Sequence, residues 1–329
     1  MKVLLVSNQR PNANGVGNPI IVRMMKAMQT DERVDAAFMP FANSYSSLMS
    51  IRKAAKQADV VHIHFGGLYA LLVRLFLIRV RAVKFITFHG TDIHAKSIST
   101  TSGMMQKVKI KLNQYASFLS LPLFRRVGFV AEAMIPYVPA SLRKREGGKF
   151  FVQKLGVDYG LFRPMEKSLS MLRLQLPEGR YVLFSDINNT HIKRRDIAEK
   201  IVECLGNGRK LLIMSGVSPD EVPHYINVCD FLLLTSDEEG SPNIVRECLA
   251  MNKPVFSVEV GDVEQQLKGL TNSCIISREP QQAARQIAEH MALSYVDDTR
   301  VKRKQILDFN ELNQSVIELY ISEMNKVNV

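Results

Sequence analysis

The sequence predicts an α/β protein of two domains, each a parallel sheet flanked by helices. Three observations carry this expectation. The stretch Phe231 to Val260, FLLLTSDEEGSPNIVRECLAMNKPVFSVEV, reads as strand, helix, strand. Phe231–Leu234 is a short apolar run and Val255–Val260 a largely apolar one, both suited to buried parallel strands, with about a dozen helix-compatible residues between them. Similar runs open at Val3, at Asp59 (DVVHIHF), at Phe85 (FITFHGTD) and again at Tyr181 (YVLFSDINN). At 329 residues the chain is long for one core and suits two domains of roughly 150 residues each.

In the first half, Val3–Val6 is the first strand, followed by a polar loop, Ser7–Asn18, and a helix from Pro19 to Met28. The loop carries Gly15 and Gly17, whose missing Cβ atoms let backbone N–H groups approach a phosphate or an acceptor, although such a pair more often marks an ordinary turn. Asp59–Phe65 reads as the second strand and Phe85–Asp92 as the third, ending in His89 and Asp92 where a parallel sheet opens its binding crevice. His62 and His64 alternate along their strand, which also suits satisfied core residues. His89 stands beside Gly90 at a strand end, where an imidazole can donate to a hydroxyl or position an acceptor. Asp92 either orients it, binds acceptor hydroxyls or caps a helix. A metal site is a thin reading, because the H-x-H pair has no carboxylate in register.

In the second half, Ser241 is placed to be an N-cap, Pro242 suits the first helical position, and Asn252 and Pro254 supply the stop. Glu239 then lies in the loop before the helix and Glu247 within it. The backbone N–H groups of Asn243 and Ile244 begin the helix unpaired, where the dipole favours a diphosphate or sugar hydroxyls. Two acids at this spacing alone read more simply as solvated surface. Lys193, Arg194 and Arg195 follow the Tyr181 strand at the start of its helix, and charge-assisted contacts from such cations strengthen as charge builds on a departing diphosphate.

Glu239, Gly240, Ser241, Pro242 and then Glu247 resemble the E-x7-E motif of retaining glycosyltransferases of family 4. DVVHIH followed by Thr87-Phe88-His89-Gly90-Thr91-Asp92, and the G-V-D-x3-F-x-P signature within Leu155–Pro164, extend the resemblance to the subgroup of teichuronic acid and envelope polysaccharide glycosyltransferases. The resemblance implies the GT-B fold: two Rossmann-like domains facing a cleft. Residues 1–164 would bind the acceptor and 165–304 the donor, with a C-terminal helix in 305–329, apolar at Leu312, Val316, Leu319 and Tyr320, crossing back to the first domain. It also implies roles. His89, Glu239 and Lys193 are the catalytic candidates, Glu239 on the donor sugar and Lys193 on the diphosphate. Gly15, Gly17, Arg194, Gly240, Ser241, Pro242, Asn243, Ile244 and Glu247 bind the donor, Glu247 through the ribose. Asp92 and His64 bind the acceptor. Ser185-Asp186 departs from the Gly-Arg of many relatives, leaving Arg194 or Arg195 as substitutes, and Ala131-Glu132 lacks their Ser or Thr.

The net charge of +11 is divided unevenly: Met1–Met165 holds 24 Lys and Arg against 8 Asp and Glu. That excess implies an anionic partner, and a membrane surface is favoured over nucleic acid, for which no helix-turn-helix, zinc-finger or RNP-like pattern is present. Leu71–Phe85 and Met104–Arg126 interleave basic and large apolar residues as interfacial segments do, and as core helices with snorkelling cations also do. Cys204, Cys229, Cys248 and Cys274 are widely spaced in elements that read as buried, pointing to a reduced compartment without disulfides or zinc. The apolar run at the N-terminus is too short for a signal peptide. The expected protein is a cytoplasmic, peripherally membrane-attached transferase, with a nucleotide diphosphate sugar (UDP foremost) as co-substrate, a lipid-linked or polymeric saccharide acceptor, and no other cofactor or metal. The alternatives are a nucleotide-sugar epimerase or phosphorylase of the same architecture, or a membrane- or nucleic-acid-binding module on a degenerate fold.

Overall fold

Runs of Val, Leu, Ile and Phe form the strands of two parallel sheets in a computed structural model of the protein, which describes residues 1–8, 19–90, 92–93, 104–154, 156–186, 191–292 and 308–326. The chain divides into two units, Met1–Leu155 with Phe309–Val329, and Gly156–Asp308. The expected glycine loop, with Gly15 and Gly17, lies outside the described residues.

The first unit runs β1 (Lys2–Ser7), α1 (Pro19–Gln29), β2 (Asp35–Pro40), α2 (Tyr45–Ala55), β3 (Val60–His64), α3 (Leu68–Phe76), β4 (Val83–Phe88), α4 (Met104–Ser120), β5 (Arg126–Phe129), α5 (Ala140–Glu146) and β6 (Phe150–Val152). Its sheet order is β2-β1-β3-β4-β5-β6, all parallel. Alternation along the central strands supplies two cores. Leu4, Val6, Val61, Ile63 and Phe88 face α2 and α3, while Val3, Leu5, Val60 and Phe85 face α1.

In the second unit come α6 (Lys167–Arg173), β7 (Arg180–Ser185), α7 (Arg195–Leu205), β8 (Arg209–Met214), α8 (Val222–Val228), β9 (Cys229–Leu234), α9 (Asn243–Ala250), β10 (Val255–Ser257), α10 (Val263–Leu267), β11 (Cys274–Ile275) and α11 (Pro280–Ala292). The order β11-β10-β9-β7-β8 is again parallel. The last helix, α12 (Phe309–Asn325), returns to the first unit, burying Val316, Ile317 and Tyr320 in the α1-side core. Its buried Glu323 accepts from Arg125 (2.6 Å), Arg126 (2.7 Å) and Lys326 (2.8 Å). Burial pushes the Glu323 carboxyl up, but the three cations outweigh it and hold it down at about 2.

Several expectations change. Asp59–Phe65 contains the third strand, not the second, because Asp35–Pro40 pairs at the sheet edge with only part of its length buried. Leu71–Phe85 is not one amphipathic segment: α3 ends at Phe76, Leu77, Val80 and Ala82 are buried in the connection, and Val83 opens β4. The units divide at Leu155, upstream of Pro164, because Val157 and Phe162 are buried in the second core and Asp158 accepts from the N–H groups of Gly160 and Leu161. Cys204 is exposed rather than buried. Among the described residues no helix is long and apolar enough to cross a membrane.

Each sheet has a strand flanked by neighbours whose connections run to opposite sides. These switch points lie at β1/β3 in the first unit and at β7/β9 in the second, and crevices open beyond their C-terminal ends.

Candidate functional site

The β7/β9 crevice of the second unit gathers the charged residues of the motif. Lys193 ends a 3₁₀ turn (His191–Lys193), and Arg194 follows in a left-handed conformation (φ 52°) as the N-cap of α7. The turn is fastened to the end of β9: Asp237 N–H donates to the Ile192 carbonyl at 2.8 Å, and the Thr235 hydroxyl reaches the carbonyls of Lys193 and Arg194 at 2.9 and 3.0 Å. This fastening brings Lys193 Nζ to 2.5 Å from Glu239 Oε1, which also accepts from the Ser236 hydroxyl at 2.8 Å. The pair is only 22% and 14% exposed, so its attraction is less screened than that of a surface pair. Arg194 turns instead to Asp196 (2.9 Å) and Asp237 (3.5 Å), and Arg195 to Glu199 (2.8 Å). Of the three expected cations, Lys193 is the one joined to the motif glutamate.

The loop before α9 is held differently from the sequence expectation. Ser241 does not cap the helix. Pro242, with extended backbone, is the N-cap, and α9 begins at Asn243. The Ser241 hydroxyl donates to Asp262 Oδ2 at 2.7 Å and accepts from Arg246 Nη1 at 2.6 Å. Arg246 Nη2 also donates to the Ser241 carbonyl (3.0 Å) and to Asn243 Oδ1. Burial pulls the Arg246 pKa down, while Asp262 and Glu247 oppose that pull. Motif reading passed over Arg246, although a basic residue beside Glu247 inside the otherwise apolar Ile244–Leu249 run was a visible signal. All six residues of that run are buried, Glu247 included. Gly261 packs beneath the loop: a Cβ there would stand 2.6 Å from the Gly240 carbonyl and 3.0 Å from that of Glu239, and its φ is +57°. Asn252 takes a left-handed conformation (φ 57°) just past the end of α9, the stop its position predicts.

In the first unit the ends of β3 and β4 bring three histidines together. His64 Nδ1 lies 3.1 Å from His89 Nε2, the His62 and His64 rings stack at 4.2 Å, and Phe65 stacks on His89 at 4.1 Å. Phe65 has φ 68°, a left-handed conformation that costs energy for a bulky residue and aims its ring at His89. His62 contacts the Tyr320 hydroxyl through Nδ1 and Thr87 Oγ1 through Nε2 (2.8 Å). Burial lowers His62 and His89 to about 3 and His64 well below its usual value, so all three rings are neutral near pH 7. His64 Nε2 is buried without a hydrogen-bond partner among the described residues. A bare acceptor is tolerated there better than an orphaned N–H, which assigns the proton to His64 Nδ1, donating to His89 Nε2 and leaving the His89 proton on Nδ1. His89 is thereby a fixed neutral donor.

Asp92 and His64, the expected acceptor-binding residues, are both buried and hydrogen-bonded within the first unit. The Asp92 carboxylate is buried and accepts from the N–H groups of Gly66 (2.8 Å), His89 (3.1 Å) and Gly90 (2.8 Å), clamping the two strand ends together. Burial raises its pKa against the lowering effect of those donors. Both residues support His89. Among the described residues no three His, Cys, Asp or Glu side chains converge as metal ligands.

No protein-family model and no curated protein sequence matches the chain. Solved structures do. Sucrose-phosphate synthase from Thermosynechococcus elongatus superposes with a TM-score of 0.74 at 13% identity, covering 99% of this chain and 100% of that one. Anabaena Alr3699/HepE in complex with UDP-glucose gives 0.75 at 14% identity, covering 98% and 100%. The catalytic domain of starch synthase IV from Arabidopsis thaliana, bound to ADP and acarbose, gives 0.68 at 12% identity, covering 99% of each chain. These likenesses establish the fold: the chain has the two-domain GT-B architecture.

Two outcomes follow from this geometry. Gly261→Ala adds a methyl against two carbonyls at a left-handed position, and should lower unfolding stability in urea by about 2–3 kcal/mol. Unfolded histidines take up protons near pH 6.5, whereas folded His62 and His89 do so only at about 3. Stability is therefore lost as pH falls below the unfolded value, by about 4 kcal/mol for these two residues between pH 7 and pH 5 in urea titrations of the first unit's transition. A transition unchanged over that range would contradict the neutral, buried assignment.

Proposed function

We propose that this chain is a glycosyltransferase that takes a sugar from a nucleotide diphosphate donor held in the second unit and gives it to a saccharide acceptor bound by the first. The observation carrying this reading is the Lys193–Glu239 pair beyond the β7/β9 switch point, beside the start of α9. A diphosphate entering there would draw the Lys193 ammonium to itself. Glu239 would then be released from the lysine and turned to the sugar hydroxyls, while Glu247 serves the ribose. The first N–H groups of α9, at Asn243 and Ile244, add donors and a favourable dipole end. Lys193 stabilises the leaving diphosphate most when its charge is fullest, which lowers the barrier rather than the ground state. His89, as a fixed neutral donor, positions an acceptor hydroxyl without trading protons.

The finer reading is a retaining, metal-independent reaction in envelope polysaccharide assembly, with a lipid-linked or polymeric acceptor, on the cytoplasmic side of the membrane. Anabaena HepE has been solved with UDP and with UDP-glucose, which makes UDP the first nucleotide to try. The test is thermal unfolding with UDP, GDP, ADP and CMP in turn. One diphosphate should raise Tm by several degrees, since saturation near 100 Kd adds about 2.7 kcal/mol, and the shift should disappear in Glu247→Ala. No shift with any nucleotide in the folded protein would overturn the reading.

A further inference from the structure

Helix α4 is built inside out. Its fully buried residues, Ala116, Ser117 and Ser120, are small and Phe118 packs half-buried on the core, whereas Met104 (83% exposed), Met105 (88%), Val108 (59%), Leu112 (52%), Tyr115 (63%) and Leu119 (67%) stand in solvent. A surface helix ordinarily does the reverse. At 3.6 residues per turn these six side chains fall within an arc of about 100° and run roughly 22 Å along the helix. On the same wheel Lys109 and Lys111 fall on opposite flanks of the stripe, with Lys107 beside Lys111. α3 packs beside α4, the Leu68 N–H donating to Asn113 Oδ1 at 3.0 Å, and it leaves Leu72, Leu75 and then Ile78 largely exposed too. Neither Leu68–Arg81 nor Met104–Arg126 contains an Asp or Glu.

We propose that this face of α3 and α4 docks on an anionic lipid bilayer, with α4 lying in the plane of the interface. Apolar side chains on the outer arc would enter the acyl boundary, and the flanking lysines would reach the headgroup phosphates. Each lysine near an anionic surface adds attraction that salt screens. A second copy of the chain fits poorly, because self-association would set the same unbalanced lysines against each other. The proposal rests on the first unit alone and does not require the transferase reading.

The experiment is co-sedimentation of the full-length protein with vesicles of phosphatidylcholine alone and of phosphatidylcholine with phosphatidylglycerol. Binding to the anionic vesicles is expected, weakening with salt, with little on the neutral ones. Leu112→Glu/Leu119→Glu and Lys107→Gln/Lys109→Gln/Lys111→Gln should each lower vesicle partitioning at least ten-fold. All of these sites but Lys107 are well exposed, and an unchanged Tm verifies that each variant folds. Nucleotide-induced Tm shifts measured on the same variants separate failure of docking from failure of the transferase reading. Absence of binding to anionic vesicles, or equal binding by the variants, would overturn the proposal. So would a dimer in size-exclusion chromatography that Leu112→Glu/Leu119→Glu dissolves.

Discussion

The fastening of the Ile192–Arg194 turn to the end of β9 is the constraint on which the organisation of the second unit's crevice depends, and the Lys193–Glu239 ion pair follows from it. β7 and β9 are hydrogen-bonded neighbours, and the connections that follow them leave for opposite sides of the sheet. Asp237 N–H on the Ile192 carbonyl and the Thr235 hydroxyl on the Lys193 and Arg194 carbonyls provide the backbone link. Arg278 reinforces it, donating to Asp237 at 2.9 Å and to the Ser236 carbonyl at 3.0 Å. With the backbone fixed, Lys193 has one motif carboxylate to meet. A partly desolvated ammonium held, among the described residues, by one carboxylate is poised for exchange, because an arriving diphosphate would offer more negative charge than Glu239 does. Arg246 and Gly261 play the matching part on the other side of the loop, one gripping Ser241 and Asn243 from α9, the other admitting the Glu239–Gly240 backbone from below.

The two units use opposite electrostatics at the C-terminal ends of their strands. In the second the groups are ionised and paired. In the first, burial leaves His62, His64 and His89 neutral, and among the described residues Asp92 is taken up by backbone N–H groups. The division suits a reaction in which one substrate carries phosphate charge and the other brings a hydroxyl. The strained Phe65 backbone, the His64 hydrogen bond and the Asp92 clamp all converge on the orientation of one imidazole, that of His89.

Much of the fold was legible because central parallel strands are apolar on both faces: the stretches around Val3, Asp59, Phe85, Tyr181, Phe231 and Val255 all contain strands. The edge strands β2 and β8 were not, since Asp35–Pro40 and Arg209–Met214 are only partly buried and carry polar or breaking residues. The helix after Glu239 was legible, but its cap was not. Local preference gives Ser241 that place, whereas Asp262 and Arg246 claim its hydroxyl, the first from 21 residues away. The same limit applies to Asp92 and His64: their residue types suggested contact with a substrate, and only the packing of β3 against β4 reveals that they face one another's loops. For α4, the interleaving of basic and apolar residues was visible, but which side faces the sheet depends on the small residues Ala116, Ser117 and Ser120 finding room there.

The central claim is that Glu239 holds Lys193 in readiness for a ligand rather than to stabilise the fold. The most direct test is the combined Lys193→Ala/Glu239→Ala variant, measured for unfolding in urea and for nucleoside diphosphate affinity by calorimetry. The account predicts stability within about 1 kcal/mol of the unaltered protein, with affinity reduced at least ten-fold. A variant several kcal/mol less stable that binds the nucleotide as tightly as before would contradict it.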